Sequence, residues 1–189
     1  AGVRIVLSPL GAVLLFGIPM VELSGVVVGM GDVLGKEARS IIQRLGEAGS
    51  WDERFDVVEA FLRQRIHSAD LDLGVMPWAM NAVLQVGGAL DVRALAKELG
   101  YSHKHLIHLF KQHIGVTPRA LARVVRFDAL IQRLKAGEPG SWADLAYELG
   151  FYDQAHLIRE AKSLGGLAPR ALFGQLTGSG IDQSTEGAG

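Results

Sequence analysis

The sequence predicts a mainly α protein, two helix-turn-helix units joined by a long helix and preceded by a small α+β portion, and three observations carry that expectation. A seven-residue phrase occurs twice, Gly-Val-Thr-Pro-Arg-Ala-Leu from Gly115 to Leu121 and Gly-Leu-Ala-Pro-Arg-Ala-Leu from Gly166 to Leu172. Each copy closes a longer matching block whose apolar residues recur at helical spacing. The first seventy residues differ in texture, with two short apolar runs ahead of two longer amphipathic stretches.

Val3 to Leu7 and Ala12 to Phe16 are rich in Val, Ile and Leu and bounded by Gly or Pro, which predicts strands. After Gly35 the pattern becomes helical. Lys36 to Ala48 carries Ile41, Ile42 and Leu45 at helical spacing, and Trp51 to His67 carries Phe55, Val58, Phe61 and Leu62. Ser50, with Glu53 three residues on, is a capping box. Asp70 to Val75 reads as a linker, and Pro77 suits the first turn of the next helix. The boundaries that follow are 1–70, a linker at 71–76, a third region at 77–173 and a tail at 174–189, whose Gly-, Ser- and Thr-rich run from Thr177 predicts disorder.

In the first repeat Val92, Leu95, Ala96 and Leu99 form an apolar face, Gly100 ends the helix, and Ser102 can cap the next one, whose stripe is Leu106, Leu109, Phe110 and Ile114. The second repeat uses Trp142, Leu145, Ala146 and Leu149, then Gly150, then Asp153 as cap, then Leu157, Ile158 and Leu164. Leu95–Tyr101 matches Leu145–Phe151 at an offset of fifty, and His105-Leu106-Ile107 matches His156-Leu157-Ile158 at fifty-one. Helix, short glycine turn and second helix make the unit that lays its second helix in the DNA major groove.

Two such units with Gly-aromatic turns, Phe110-Lys111, and a Gly-x-x-Pro after each second helix make Met76 to Phe173 resemble the DNA-binding region of AraC/XylS transcription regulators. The resemblance implies that Pro118 to Lys135 is the long connecting helix, with Leu121, Val125, Leu130 and Leu134 toward the core. It also implies two recognition helices in successive major-groove segments, about 34 Å apart. By position, the first would offer Lys104, Ile107 and His108 to base edges, with His103 and Lys111 nearer phosphates. The second would offer Gln154, Ala155 and Arg159, with His156 beside them and Lys162 at the place of Lys111. Arg159 can pair with guanine and Gln154 with adenine.

The second unit departs from the pattern. Ala161 replaces the aromatic before Lys162, which weakens the packing of that helix, and Glu160 falls near the expected DNA side, where a carboxylate repels phosphate. Asp91 to Lys135 holds nine Lys or Arg against three Asp or Glu, a balance of +6, whereas Ser141 to Phe173 has three against four, a balance of -1. Non-specific affinity follows phosphate neutralisation, so the first unit should supply most of it.

Nineteen basic and twenty acidic residues hide this local polarity in a net charge of -1. At 49% hydrophobic the chain can bury a real core. The absence of Cys excludes disulfides, Cys-containing zinc sites and cysteine alkyl transfer, and is compatible with a cytoplasmic setting. Pro19, Glu22 and Ser24 interrupt the early apolar stretch, so no membrane span is expected, and Arg4 alone is a poor start for a secretory signal. Four histidines fall between His103 and His113, but no carboxylate or Cys on that helix completes a metal site, and His105 has its counterpart in His156. P-loop, dinucleotide and nucleophile-elbow patterns are absent, so no cofactor is expected.

Residues 1–70 resemble the tail end of the sensor domain that many such regulators carry, with most of its barrel missing, and the start at Ala1 suggests a fragment or shortened chain. The leading strands would then need partners, which a second copy in a homodimer could supply. A small-molecule effector would belong to the missing sensor part. The expected function is sequence-specific binding of double-stranded DNA in transcription regulation. The alternative is a protein-interaction module that pairs with a full-length regulator, and an enzyme would need a metal or pocket around His105 and His108.

Overall fold

The computed structural model describes residues 2–85, 90–137 and 139–178. Among them the helices are α1 (Pro9–Phe16), a 3-10 turn (Met20–Leu23), α2 (Met30–Leu34), α3 (Lys36–Glu47), α4 (Trp51–His67), α5 (Met76–Gln85), α6 (Val92–Glu98), α7 (His103–His113), α8 (Pro118–Lys135), α9 (Trp142–Glu148), α10 (Gln154–Gly165) and α11 (Pro169–Thr177). Two compact units result, one within residues 1–78 and 96–117, the other within 79–95 and 118–189.

No strand occurs among the described residues, which corrects the α+β expectation. Ala12–Phe16 lies inside α1. The local signals there are those of a helix: the Gly11 amide donates to Ser8 Oγ at 3.1 Å, Pro9 stands at the first helical position, and Gly17 closes the end by donating to Val13 O at 2.9 Å. Leu10, Val13 and Leu15 are buried, so the apolar run is a core helix. Val3–Leu7 has no regular structure, because no neighbouring strand pairs with it.

Helices α3 and α4 pack together, and α1 packs on α4. Ser50 caps α4 by accepting from the Glu53 amide at 3.2 Å, while Glu53 Oε2 accepts from the Gly49 amide at 2.7 Å, one residue before the cap itself. Arg65 ties the elements together, donating twice to Leu15 O, at 2.9 and 2.6 Å, and once to Glu37 at 3.1 Å. The 3-10 turn and α1 rest against α7. Buried Met20 meets the end of that helix so closely that a Cβ on Gly115, at φ +91°, would lie 2.9 Å from its carbonyl oxygen.

In the other unit α8, α9, α10 and α11 enclose Leu130, Leu134, Leu145, Ala146, Leu157 and Leu172. Ala161, where the first repeat has Phe110, is fully buried, and Phe127 of α8 packs against the same cluster with its ring at Gly165 of α10. Leu164, expected in the stripe, is exposed instead. Helix α11 continues to Thr177, so residues 174–177 are helical where tail was expected, and the tail beyond 178 lies outside the described residues.

Candidate nucleic-acid interface

The turn between α6 and α7 and the turn between α9 and α10 are built alike. Gly100 (φ 73°) donates to Lys97 O at 3.1 Å and Tyr101 donates to Ala96 O at 2.9 Å; Gly150 (φ 74°) donates to Tyr147 O at 3.1 Å and Phe151 to Ala146 O at 2.9 Å. Only a residue without Cβ adopts that left-handed conformation freely, and the paired bonds close the helix end. Ser102 Oγ then accepts from the His105 amide at 3.2 Å and Asp153 Oδ1 from the His156 amide at 2.6 Å, so each second helix starts on a side-chain cap. Each histidine also meets the aromatic of its turn edge-on, His105 with Tyr101 at 4.9 Å and His156 with Phe151 at 5.5 Å.

These anchors fix which faces look outward. In α7, Leu106 and Phe110 are fully buried, His103, Lys104, His108 and Lys111 are exposed, and Ile107 is half-buried. Lys104, Ile107, His108 and Lys111 stand at i, i+3, i+4 and i+7 and so share one face. In α10, Leu157 and Ala161 are buried, while Gln154, Ala155, Arg159 and Lys162 are exposed. Ala155, Arg159 and Lys162 share a face, with Gln154 at the head of the helix. His156 is half-buried, and its Nδ1 accepts from the Tyr152 amide at 3.2 Å, so it braces the turn.

Glu160 does not face outward. Its carboxylate is 15% exposed, accepts from Arg123 Nε of α8 at 2.6 Å and lies 3.7 Å from His156 Nε2. Beside it Arg126 is buried, with its guanidinium over the Phe151 ring at 5.6 Å. Burial pushes the Arg126 guanidinium below the ordinary arginine range, Glu160 opposes that shift, and Arg123 and Arg119 add to it. The carboxylate therefore answers a cluster of arginines inside the unit rather than repelling phosphate outside it.

Trp142, Gln154, Ile158, Ala168, Pro169 and Arg170 line a cleft of about 250 Å³ at the head of α10. Exposed Arg170 was missed as a candidate, although the repeated Pro-Arg pair was its signal and Arg119, also exposed, holds the same place in the first copy. On α7, His113 Nδ1 is buried without a hydrogen-bond partner, and burial first, then His108, holds its imidazole below the usual value. Among the described residues no three His, Asp or Glu side chains gather as a cation site, and no helix is long and apolar enough to cross a membrane.

Two capped turns of one design, each followed by a helix with a polar outer face, define a tandem helix-turn-helix protein. Residues 95–175 match a family described as a helix-turn-helix domain. The match covers less than half of the chain and agrees with the resemblance of that stretch to DNA-binding regions of the AraC/XylS type. No curated protein and no solved structure matches the chain.

Proposed function

We propose that α7 and α10 are two recognition helices that enter successive major-groove segments of double-stranded DNA, with residues 77–173 acting as the DNA-binding domain. The observation that supports this reading is the pairing of one shared turn with two unlike outer faces. Arg159 donates to guanine and Gln154 pairs with adenine, while Ile107 and Ala155 give apolar contact to thymine methyls. Lys104 and His108 reach base edges, and His103, Lys111, Lys162 and Arg170 neutralise phosphates. His156 positions its helix through the Tyr152 amide instead of reading a base. Residues 1–70 serve association with a second copy.

The partner-module alternative is favoured if the second unit cannot hold DNA, and the ion pair of Glu160 with Arg123 removes one reason to expect that failure. Fluorescence anisotropy with mixed-sequence duplex across a salt series is the test. Affinity should fall steeply with salt. On the operator selected from such a pool, Arg159→Ala should cost about 1–3 kcal/mol and relax one base position, whereas Lys111→Ala, at a phosphate contact, should weaken binding across sequences and flatten the salt slope. A folded protein that binds no duplex at low salt would sink this reading and favour the partner module.

A further inference from the structure

The two turns differ by one residue. In the first, Tyr101 stands directly before the Ser102 cap; in the second, Tyr152 is inserted between Phe151 and the Asp153 cap, so the offset between the repeats passes there from fifty to fifty-one. The bonds that close α6 and α9 are the same, and Phe151 is the buried aromatic of its turn. Tyr152 is instead 91% exposed. Its main chain is nevertheless held, since the Tyr152 amide donates to His156 Nδ1, and that imidazole meets the Phe151 ring edge-on and lies 3.7 Å from the Glu160 carboxylate. A large ring that folding does not bury thus stands on a fixed backbone, one place ahead of the cap of α10. Tyrosine suits a surface that is wet in the free protein and covered in a complex, because it joins an apolar body to a hydroxyl that takes a hydrogen-bond partner.

What the ring meets follows from its place and from the charge around it. Residues 141–173 carry three Lys or Arg against four Asp or Glu, so cations alone give this unit a weak hold on a polyanion. The nearest carboxylates do not stand in the way, because Asp153 is turned to the His156 amide and Glu160 to Arg123. We infer that Tyr152 is a DNA contact of the second unit, its hydroxyl donating to a backbone phosphate oxygen at the edge of the major groove that α10 enters. The head of a recognition helix reads base edges, so a residue one place ahead of its cap meets the strand that flanks the groove. Tyrosine hydroxyls are among the neutral donors that phosphates accept. Such a donor adds hold without releasing a counterion, which makes this contact indifferent to salt, unlike those of Lys111 and Lys162.

This rests on the reading of α10 as a recognition helix, and anisotropy with duplex DNA across a salt series separates the two. Tyr152→Phe removes one oxygen from an exposed ring, so its circular dichroism and urea midpoint should match those of the parent. Its affinity should fall about two- to tenfold, the worth of one neutral hydrogen bond. The loss should be equal on the selected operator and on mixed-sequence duplex, and the salt slope should not change. Tyr152→Lys should steepen that slope by about 0.9, the release of one further counterion. Tyr152→Phe binding as tightly as the parent, a loss confined to the operator, or a Tyr152→Lys slope equal to the parent's would overturn the inference while leaving α10 in the groove. A parent that binds no duplex, or whose operator binding is indifferent to Arg159→Ala, would overturn the reading of α10 and this contact with it.

Discussion

Replacing Glu160 by alanine separates two opposite expectations for one side chain. Read from sequence, the carboxylate opposes phosphate, and removing it should tighten DNA binding. The structure gives it another task, since it holds Arg123 at 2.6 Å and offsets the charge of buried Arg126. Breaking a fully buried ion pair costs about 3–5 kcal/mol, and an exposed pair about 1 kcal/mol or less. With Glu160 15% and Arg123 35% exposed, this pair lies between those limits. We expect a loss of about 2 kcal/mol, which for a chain of this length lowers the melting temperature by about 4–8 °C. Urea unfolding followed by tryptophan fluorescence reports it through Trp142, which packs against the same core. An unchanged midpoint together with tighter DNA binding would refute the inward assignment.

Three further outcomes follow from the same geometry. Gly100→Ala and Gly150→Ala should each cost about 1 kcal/mol, and by nearly equal amounts, because both glycines have φ near +73°; unequal midpoints in denaturant would show that the repeats are not equivalent. Gly115→Ala should cost at least about 1 kcal/mol more than Gly166→Ala, since only the first new Cβ meets the Met20 carbonyl; equal loss would show that the 3-10 turn does not dock on α7. His113 binds its proton less readily when folded, so its contribution is complete above the ordinary value of 6.5 and is lost as pH falls through the depressed folded value. Urea midpoints should therefore drop on acidification below that value, and His113→Gln should flatten the drop; an unaltered pH profile would remove His113 as its source.

What was legible in the sequence is what local chemistry dictates. The repeat, the capped starts at Ser50, Ser102 and Asp153 and the glycine stops at Gly100 and Gly150 all depend on neighbours within a few residues. The strand expectation for Ala12–Phe16 failed because apolar composition was weighed above Ser8-Pro9, a helix start placed just ahead of it. Periodicity placed Phe55 and Ile42 among apolar residues at helical spacing, and both are exposed, since spacing shows that residues share a face without showing what covers it. Glu160 was misplaced for a different reason: its partner Arg123 is 37 residues away, and no local pattern announces that meeting. The same holds for Phe127, whose ring reaches Gly165 from another helix.

The paired turns have a consequence for how such a protein changes. The bonds that shape them run through the main chain, a glycine, a cap or, in the second turn, the His156 imidazole, and none of these involves Lys104, His108, Gln154 or Arg159. In the proposed reading, base recognition and folding thus rest on different atoms. The outward residues of either helix can be rewritten, or traded between the two, while the scaffold that aims them stays the same. A duplicated frame of this kind lets one half drift toward a new base sequence while the other keeps its grip on the old one.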